Sequence, residues 1–286
     1  MDVCFCFDLT VGLLATVNIA TRAAVAADAA GVAYGVGYTP YANAYLVLLL
    51  PHSIVTISVV TALLPKLSEL VLDKKIDELK VKINTALRLV GIVTVPAALF
   101  FLLFGERVAE ALFFGIPELD AIYIGRVLSA LSLGLIPLSI NLVLIRGLNA
   151  FENTKYQVLS NLVINLIAVA ISIVAFVNLE ARSVTVGLGI AFTASYWMGI
   201  FVTYLLLRKY TGALKLGGVV VFYLKLTLAA AIAVISVAFI AQSLELEGNI
   251  FDLLGVFLAT AALYLLVARA MRVSEVGQTV KTILRR

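Results

Sequence analysis

The chain has 286 residues, of which 63% are hydrophobic and 13% charged, with a net charge of +4 and a mean hydropathy of +1.10. A soluble domain carries about 25% charged residues; half that proportion leaves too little polar surface for a water-facing fold, so the apolar residues must face a bilayer. The basic residues are dispersed rather than striped, which argues against a nucleic-acid partner, and Cys4 and Cys6, with one residue between them and no other cysteine, support neither a disulfide framework nor a metal site.

The opening MDVCFCFDLT has no basic run and no small-residue cleavage site, so it does not resemble a signal peptide. Residues 1–10 read as an atypical N-terminus. A spanning helix needs about 20 largely apolar residues, and eight windows supply them: Leu9–Val32, Tyr41–Leu64, Thr85–Phe104, Ile124–Ile145, Tyr156–Asn178, Val184–Leu207, Val219–Ser243 and Phe251–Met271. The first is the most polar, since it contains Arg22 and Asp28. Between the second and third, Ser68–Leu87 places Leu72, Ile76, Leu79 and Ile83 at helical spacing among charges and predicts an amphipathic helix on the membrane surface. Gly105–Tyr123, with Glu106, Glu110, Glu118 and Asp120, predicts a connection containing a short helix. The fold class expected is all-α, a polytopic membrane helix bundle.

Placing both termini in the cytoplasm puts sixteen of the 21 Lys and Arg on the inner side, three (Arg107, Arg126, Arg182) on the outer side, and two (Arg22, Lys225) within helices. That asymmetry follows the positive-inside rule in every loop, and one missed helix would scramble it.

His52 is the only histidine, so no His-based triad or multi-histidine metal site can form. No Gly-rich phosphate loop follows a strand. The chain therefore reads as a non-enzyme with no catalytic residue, metal or cofactor. The informative residues are polar ones inside the apolar windows. Arg22 has Asn18 one turn before it on the same face. It either binds an anion in a hydrated cavity, or snorkels or pairs with Asp28 from a short or displaced helix. Gln157, Asn161, Asn165 and Ser172 form one polar face that either lines a cavity or bonds neighbouring helices; Ser129, Ser132 and Ser139 are read as interhelical. Lys225 is read as snorkelling, and His52, next to Pro51, as packed against a polar neighbour, with a hinge at a helix break there as the alternative. Pro51, Pro65, Pro96 and Pro137 sit in or at the ends of helices.

Two stretches resemble a known family. In Tyr41–Leu70 an apolar helix with internal Pro51 leads to Leu64-Pro65-Lys66-Leu67-Ser68, similar to the signature of the MurJ/MviN family. In Leu144–Leu166, Arg146, Ala150, Asn153, Thr154 and Lys155 fit its Arg-x-Phe-Tyr-Ala-x-x-Asp-Thr-Arg-Thr-Pro loop, with Asn149 and Gln157 replacing the Tyr and the Pro. Leu87–Gly105 is similar to actinobacterial members, and the resemblance runs from about Val11 to the C-terminus.

The resemblance implies a fourteen-helix flippase of the multidrug/oligosaccharidyl-lipid/polysaccharide exporter superfamily, with two six-helix lobes facing a cavity. The eight windows match its seventh to fourteenth helices. Residues 11–208 would form the second lobe, and 209–286 the two additional helices and a cytoplasmic tail. It implies a multi-pass protein of the bacterial cytoplasmic membrane. The implied substrate is lipid II, the undecaprenyl-pyrophosphate-linked peptidoglycan precursor, moved to the outer leaflet by alternating access for cell-wall synthesis and cell shape. Arg22, Asn18, Asp28, Asn161 and Asn165 are the expected substrate-binding residues, and the last two helices the guide for the lipid tail. The expected partners are membrane lipid, that substrate, and a first lobe or other envelope proteins. The first lobe has no counterpart in this sequence, a basic residue frequent in the family is Leu46 here, and the start is consistent with a truncated gene or a misassigned start. An exporter of another polyprenyl-linked saccharide or of a drug, and a non-transporting remnant, are the alternatives.

Overall fold

The structure, a computed structural model, describes residues 3–32, 34–152, 154–243, 250–271 and 273, with the backbone alone for 3–11 and 154. Among these residues there are ten α-helices and no strand: α1 (Val3–Ala29), α2 (Tyr38–Pro51), α3 (Ser58–Leu72), α4 (Ile76–Leu112), α5 (Glu118–Ser132), α6 (Leu135–Asn149), α7 (Thr154–Asn178), α8 (Val184–Thr211), α9 (Gly217–Ser243) and α10 (Ile250–Ala270). A π-helical segment, His52–Ile57, fuses α2 to α3, and a 3-10 turn, Ala181–Ser183, precedes α8.

Six of the spans, Tyr38–Leu72, Ile76–Leu112, Lys155–Asn178, Ala181–Thr211, Gly217–Ser243 and Ile250–Ala270, are each long and apolar enough to cross a bilayer. The pair α5–α6, bent by 47°, makes a seventh. Helix α1 carries Asn18, Arg22 and Asp28, but its 27 residues are long enough to cross and it packs along α7. The protein is thus a polytopic all-α bundle of about eight spans. Its two ends differ in charge. At the basic end, the α3–α4 and α8–α9 connections carry Lys74, Lys75 and Lys215, and Lys155 lies in the first turn of α7. The opposite, acidic end carries Glu106, Glu110, Glu118, Asp120 and Glu180.

Prolines set where the spans deviate, because each removes one backbone donor. Pro51 cannot donate to Val47, and the next turn widens into the π segment. Pro137 cannot donate to Leu133, and the chain breaks there between α5 and α6. Pro96 lies deep within α4 and leaves the Ile92 carbonyl without its helical donor. The buried hydroxyl of Tyr264 on α10 donates to that carbonyl at 2.9 Å. One turn earlier the Tyr223 hydroxyl of α9 donates to the Leu87 carbonyl at 2.8 Å. Tyr223 fits because position 91 is glycine: a Cβ there would lie 2.7 Å from its Cζ. Packing of α4 on α5 is equally close, since a Cβ on Gly125 would collide with the Glu106 backbone.

Two expectations are corrected. Ser68–Leu87 is not a separate surface helix. Its start completes α3, the chain turns at Asp73–Lys75, and its remainder is the first three turns of α4, which continues unbroken to Leu112. Leu79 and Ile83 are fully buried rather than in the lipid interface, and the Ile83 Cδ1 lies 3.0 Å from where a Cβ on Gly147 would sit. An apolar stripe records that one face is dry, not what dries it. Likewise Gly105–Tyr123 holds no extra helix: α4 runs to Leu112, five residues follow, and α5 starts at Glu118.

The turn after α3 carries a Schellman pattern: Lys75 N–H donates to the Leu70 carbonyl at 2.9 Å and Lys74 N–H to that of Val71 at 3.0 Å. Lys74 holds φ 57°, a left-handed conformation that glycine adopts without penalty. Lys74→Gly is expected to raise stability by about 1 kcal/mol, measured by unfolding in mixed detergent. Tyr264→Phe is expected to lower it by about 1–2 kcal/mol, because the Ile92 carbonyl loses its donor. In a Pro96→Ala background the substituted residue supplies its own N–H, so the same change should cost close to nothing; equal losses in both backgrounds would show that the hydroxyl serves another purpose.

Candidate substrate-binding face

Helix α1 has two unlike faces. Ala20, Ala23 and Ala27 are buried against the bundle, where the backbone of Gly37 comes so close that a Cβ there would lie 2.9 Å from that of Ala24. Asn18 and Arg22, four residues apart, lie on the other face and are exposed. Arg22 stands seven residues before the end of α1, about 10 Å along the axis. Asp28 is also exposed, but its separation of six positions puts it on a different face from Arg22, and among the described residues the two form no ion pair. The pairing of Arg22 with Asp28 is therefore not observed.

The second candidate group is on α7. Asn161 and Asn165 are half-buried on the side that meets α1. Asn165 faces Gly12 so closely that a Cβ there would lie 2.7 Å from its Oδ1. The two helices run parallel, with α1 also touching the turn that ends α7. Arg22, ten residues beyond Gly12, is therefore about 15 Å further along than Asn165, and on another face of α1. The five residues do not converge on one pocket. Asn161 and Asn165 lie in the α1–α7 seam, Asn18 and Arg22 on the open face, and Asp28 near the end of α1.

The next residues on α7 form a network not visible in the sequence. Ser160 meets the Thr203 hydroxyl of α8, which donates to Asn141 Oδ1 of α6 at 2.6 Å. All three are buried. Ile164 fills the notch at Gly199, tying α7 to α8 over the same stretch. Residues four apart share a face and adjacent ones do not, so Asn161 and Asn165 turn to α1 while Ser160 and Ile164 turn to α8. Spacing alone identifies the first stripe because its members are amides; a lone serine and threonine on separate helices give no pattern.

His52 does pack against a polar neighbour: its Nδ1 lies 2.9 Å from Ser139 Oγ. Ser129 bonds across helices to the Phe101 carbonyl of α4, whereas Ser132 bonds within α5, to Ser129. In the motif stretches, Pro51 begins the π segment, Pro65 and Lys66 are exposed on α3, Lys66 pairs with Glu69 at 2.9 Å, and Ser68 is half-buried. Arg146 is half-buried near the basic end of α6; its Nε is buried without a hydrogen-bond partner among the described residues, as are Asn149 Oδ1 and Asn84 Oδ1. Asn153 lies outside the described residues, and Thr154 is described only as the first residue of α7. Among the described residues no group of His, Cys, Asp and Glu could hold a metal ion.

The family model described as lipid II flippase MurJ matches residues 5–257. Among solved structures, the fold is similar to that of a lipid II flippase MurJ in an inward closed conformation, with a TM-score of 0.66 at 19% identity. That match covers 82% of this chain and 46% of the flippase, so the chain spans about half the length of the protein it resembles. With a matching family model over most of its length and the corresponding fold, the chain belongs to the MurJ lipid II flippase family.

Proposed function

We propose that this chain forms the second lobe and terminal helices of a lipid II flippase, which moves the lipid-linked peptidoglycan precursor from the inner to the outer leaflet of the bacterial cytoplasmic membrane. The observation that carries this reading is the open face of α1, where Arg22 projects from a membrane-embedded helix, opposite the buried alanines and without an acidic partner among the described residues. An intramembrane cation so placed suits a ligand's phosphate, because an uncompensated charge in hydrocarbon is costly and a guanidinium holds phosphate oxygens through two parallel N–H donors. Asn18, one turn away, adds a neutral donor to the same face. Asn161, Asn165 and Asp28 belong to this reading as residues bordering the headgroup, in the α1–α7 seam and at the end of α1.

In this reading residues 11–208 are one lobe and α9 and α10 lie beside it, their exposed apolar residues, such as Phe239 and Phe257, guiding the lipid tail. The basic end faces the cytoplasm, as its lysines require, and both termini lie there. Transport is a rocking of this lobe against a facing one, with no covalent chemistry; the facing lobe would supply further phosphate ligands.

The test is lipid II translocation in proteoliposomes by a complete homologue carrying substitutions at the position of Arg22. Arg22→Ala should slow it by about tenfold to a hundredfold, the worth of one charge-assisted hydrogen-bonding group, and Arg22→Lys by less. Unchanged translocation in Arg22→Ala would remove Arg22 from the substrate path. Unimpaired lipid II translocation together with export of an unrelated drug would favour the broader exporter reading.

A further inference from the structure

A groove of about 560 Å³ lies between α4, α6, α8 and α9, within the size range of ligand pockets. It extends from Leu99 and Leu133, near the α5–α6 break, to Leu216 and Val219 at the basic end. Leu224 and Phe201 line it yet are 65% and 59% exposed, so it opens sideways to where lipid lies. Its walls are apolar over most of their length. Of its hydroxyls, that of Tyr223 is committed to the Leu87 carbonyl, whereas that of Tyr204 has no hydrogen-bond partner among the described residues. Tyr204 stands one turn before Arg208, and Lys215 immediately precedes Leu216 at the mouth; both cations are exposed. The groove is therefore hydrocarbon-like along its length, with a phenol and two cations at the level of the lipid headgroups.

We propose that this groove holds one acyl chain of an anionic phospholipid from the leaflet at the basic end, its phosphate held by Arg208, Lys215 and the Tyr204 hydroxyl. A membrane-facing cavity of this size is filled by hydrocarbon, since water would find no polar partners along its walls. The transported lipid is the wrong occupant on geometry. Helix α8 presents Gly199 and Thr203 to α7 but Trp197, Phe201 and Tyr204 to the groove. The body of α8 thus separates the groove from Asn161, Asn165 and α1. A resident lipid here would bridge α6 and α8 to α9, filling a gap that no side chain fills. This holds whatever the flippase carries.

The experiment is native mass spectrometry of the chain extracted in mild detergent and incubated with equimolar phosphatidylglycerol, phosphatidylethanolamine and undecaprenyl phosphate. One phosphatidylglycerol should remain bound per chain. Leu224→Trp, at an exposed position on the groove's rim, should abolish retention while leaving the helical circular dichroism and thermal midpoint unchanged. The double variant Arg208→Gln, Lys215→Gln should reduce the preference for phosphatidylglycerol over phosphatidylethanolamine about twenty-five-fold, a factor of about five for each cation near the headgroups. Arg22→Ala should leave retention intact. No retained lipid, preferential retention of undecaprenyl phosphate, or phosphatidylglycerol retained equally by folded Leu224→Trp would each overturn the proposal.

Discussion

A bilayer offers no water to a backbone carbonyl, so each one within it must find its donor in the protein. The association of the terminal helices with the rest of this bundle depends on that constraint. Pro96 deprives the Ile92 carbonyl of its donor in the middle of the longest helix, and Tyr264, 172 residues away in sequence, supplies one. Hydrophobic attraction cannot place α10 there, because lipid tails are as apolar as the helix itself. A carbonyl open to a new donor is a specific address. Tyr223 adds a second donor to the Leu87 carbonyl, whose helical donor is the Gly91 N–H, and Gly91 gives its ring the room to do so. Helix α4 thus serves as the post on which α9 and α10 are hung.

The other prolines meet the same constraint differently, and two of their distortions touch. The π segment after Pro51 contains His52, and the helix after the Pro137 break contains Ser139; these two side chains share a buried hydrogen bond at 2.9 Å. The two irregular spans are therefore joined where each departs from the ideal helix. Bending one without the other would part a buried polar pair in a region that offers no replacement. Phe192 closes the same region from α8, with its ring packed into the notch at Gly134.

The spans are legible in the sequence because hydrocarbon thickness sets their length and the charge asymmetry fixes their alternation. The prolines are legible as positions but not as outcomes: whether one yields a widened turn, a 47° break or a docking point depends on which neighbour supplies a donor. The amphipathic stretch Leu72–Ile83 reads in sequence as a surface helix because Gly147 and Leu207, far along the chain, provide the dry surface that Ile83 covers. For the site, the amide stripe on α7 and the isolated Arg22 can be seen as residues, but their separation of about 15 Å cannot. That distance depends on the parallel register of α1 and α7, which is set by the contact of Gly12 with Asn165 and leaves no trace in either helix alone.

That register also divides the molecule into two working surfaces. On one side of α8, Ser160, Thr203 and Asn141 lock α6, α7 and α8 together, and α1 lies beyond them with its charged face open. On the other side is the apolar groove between α4, α6, α8 and α9, with Tyr204, Arg208 and Lys215 at its mouth. The transported headgroup has its cation, Arg22, on the first surface, and a hydrocarbon chain lying in the groove gains nothing by crossing α8 to reach it. The locked triad makes the separation rigid, because any motion that opened a path between the surfaces would strand three buried polar groups at once. The lobe should therefore move as a unit, with rearrangement confined to its edge at α1, which is joined to α7 at the glycine contact.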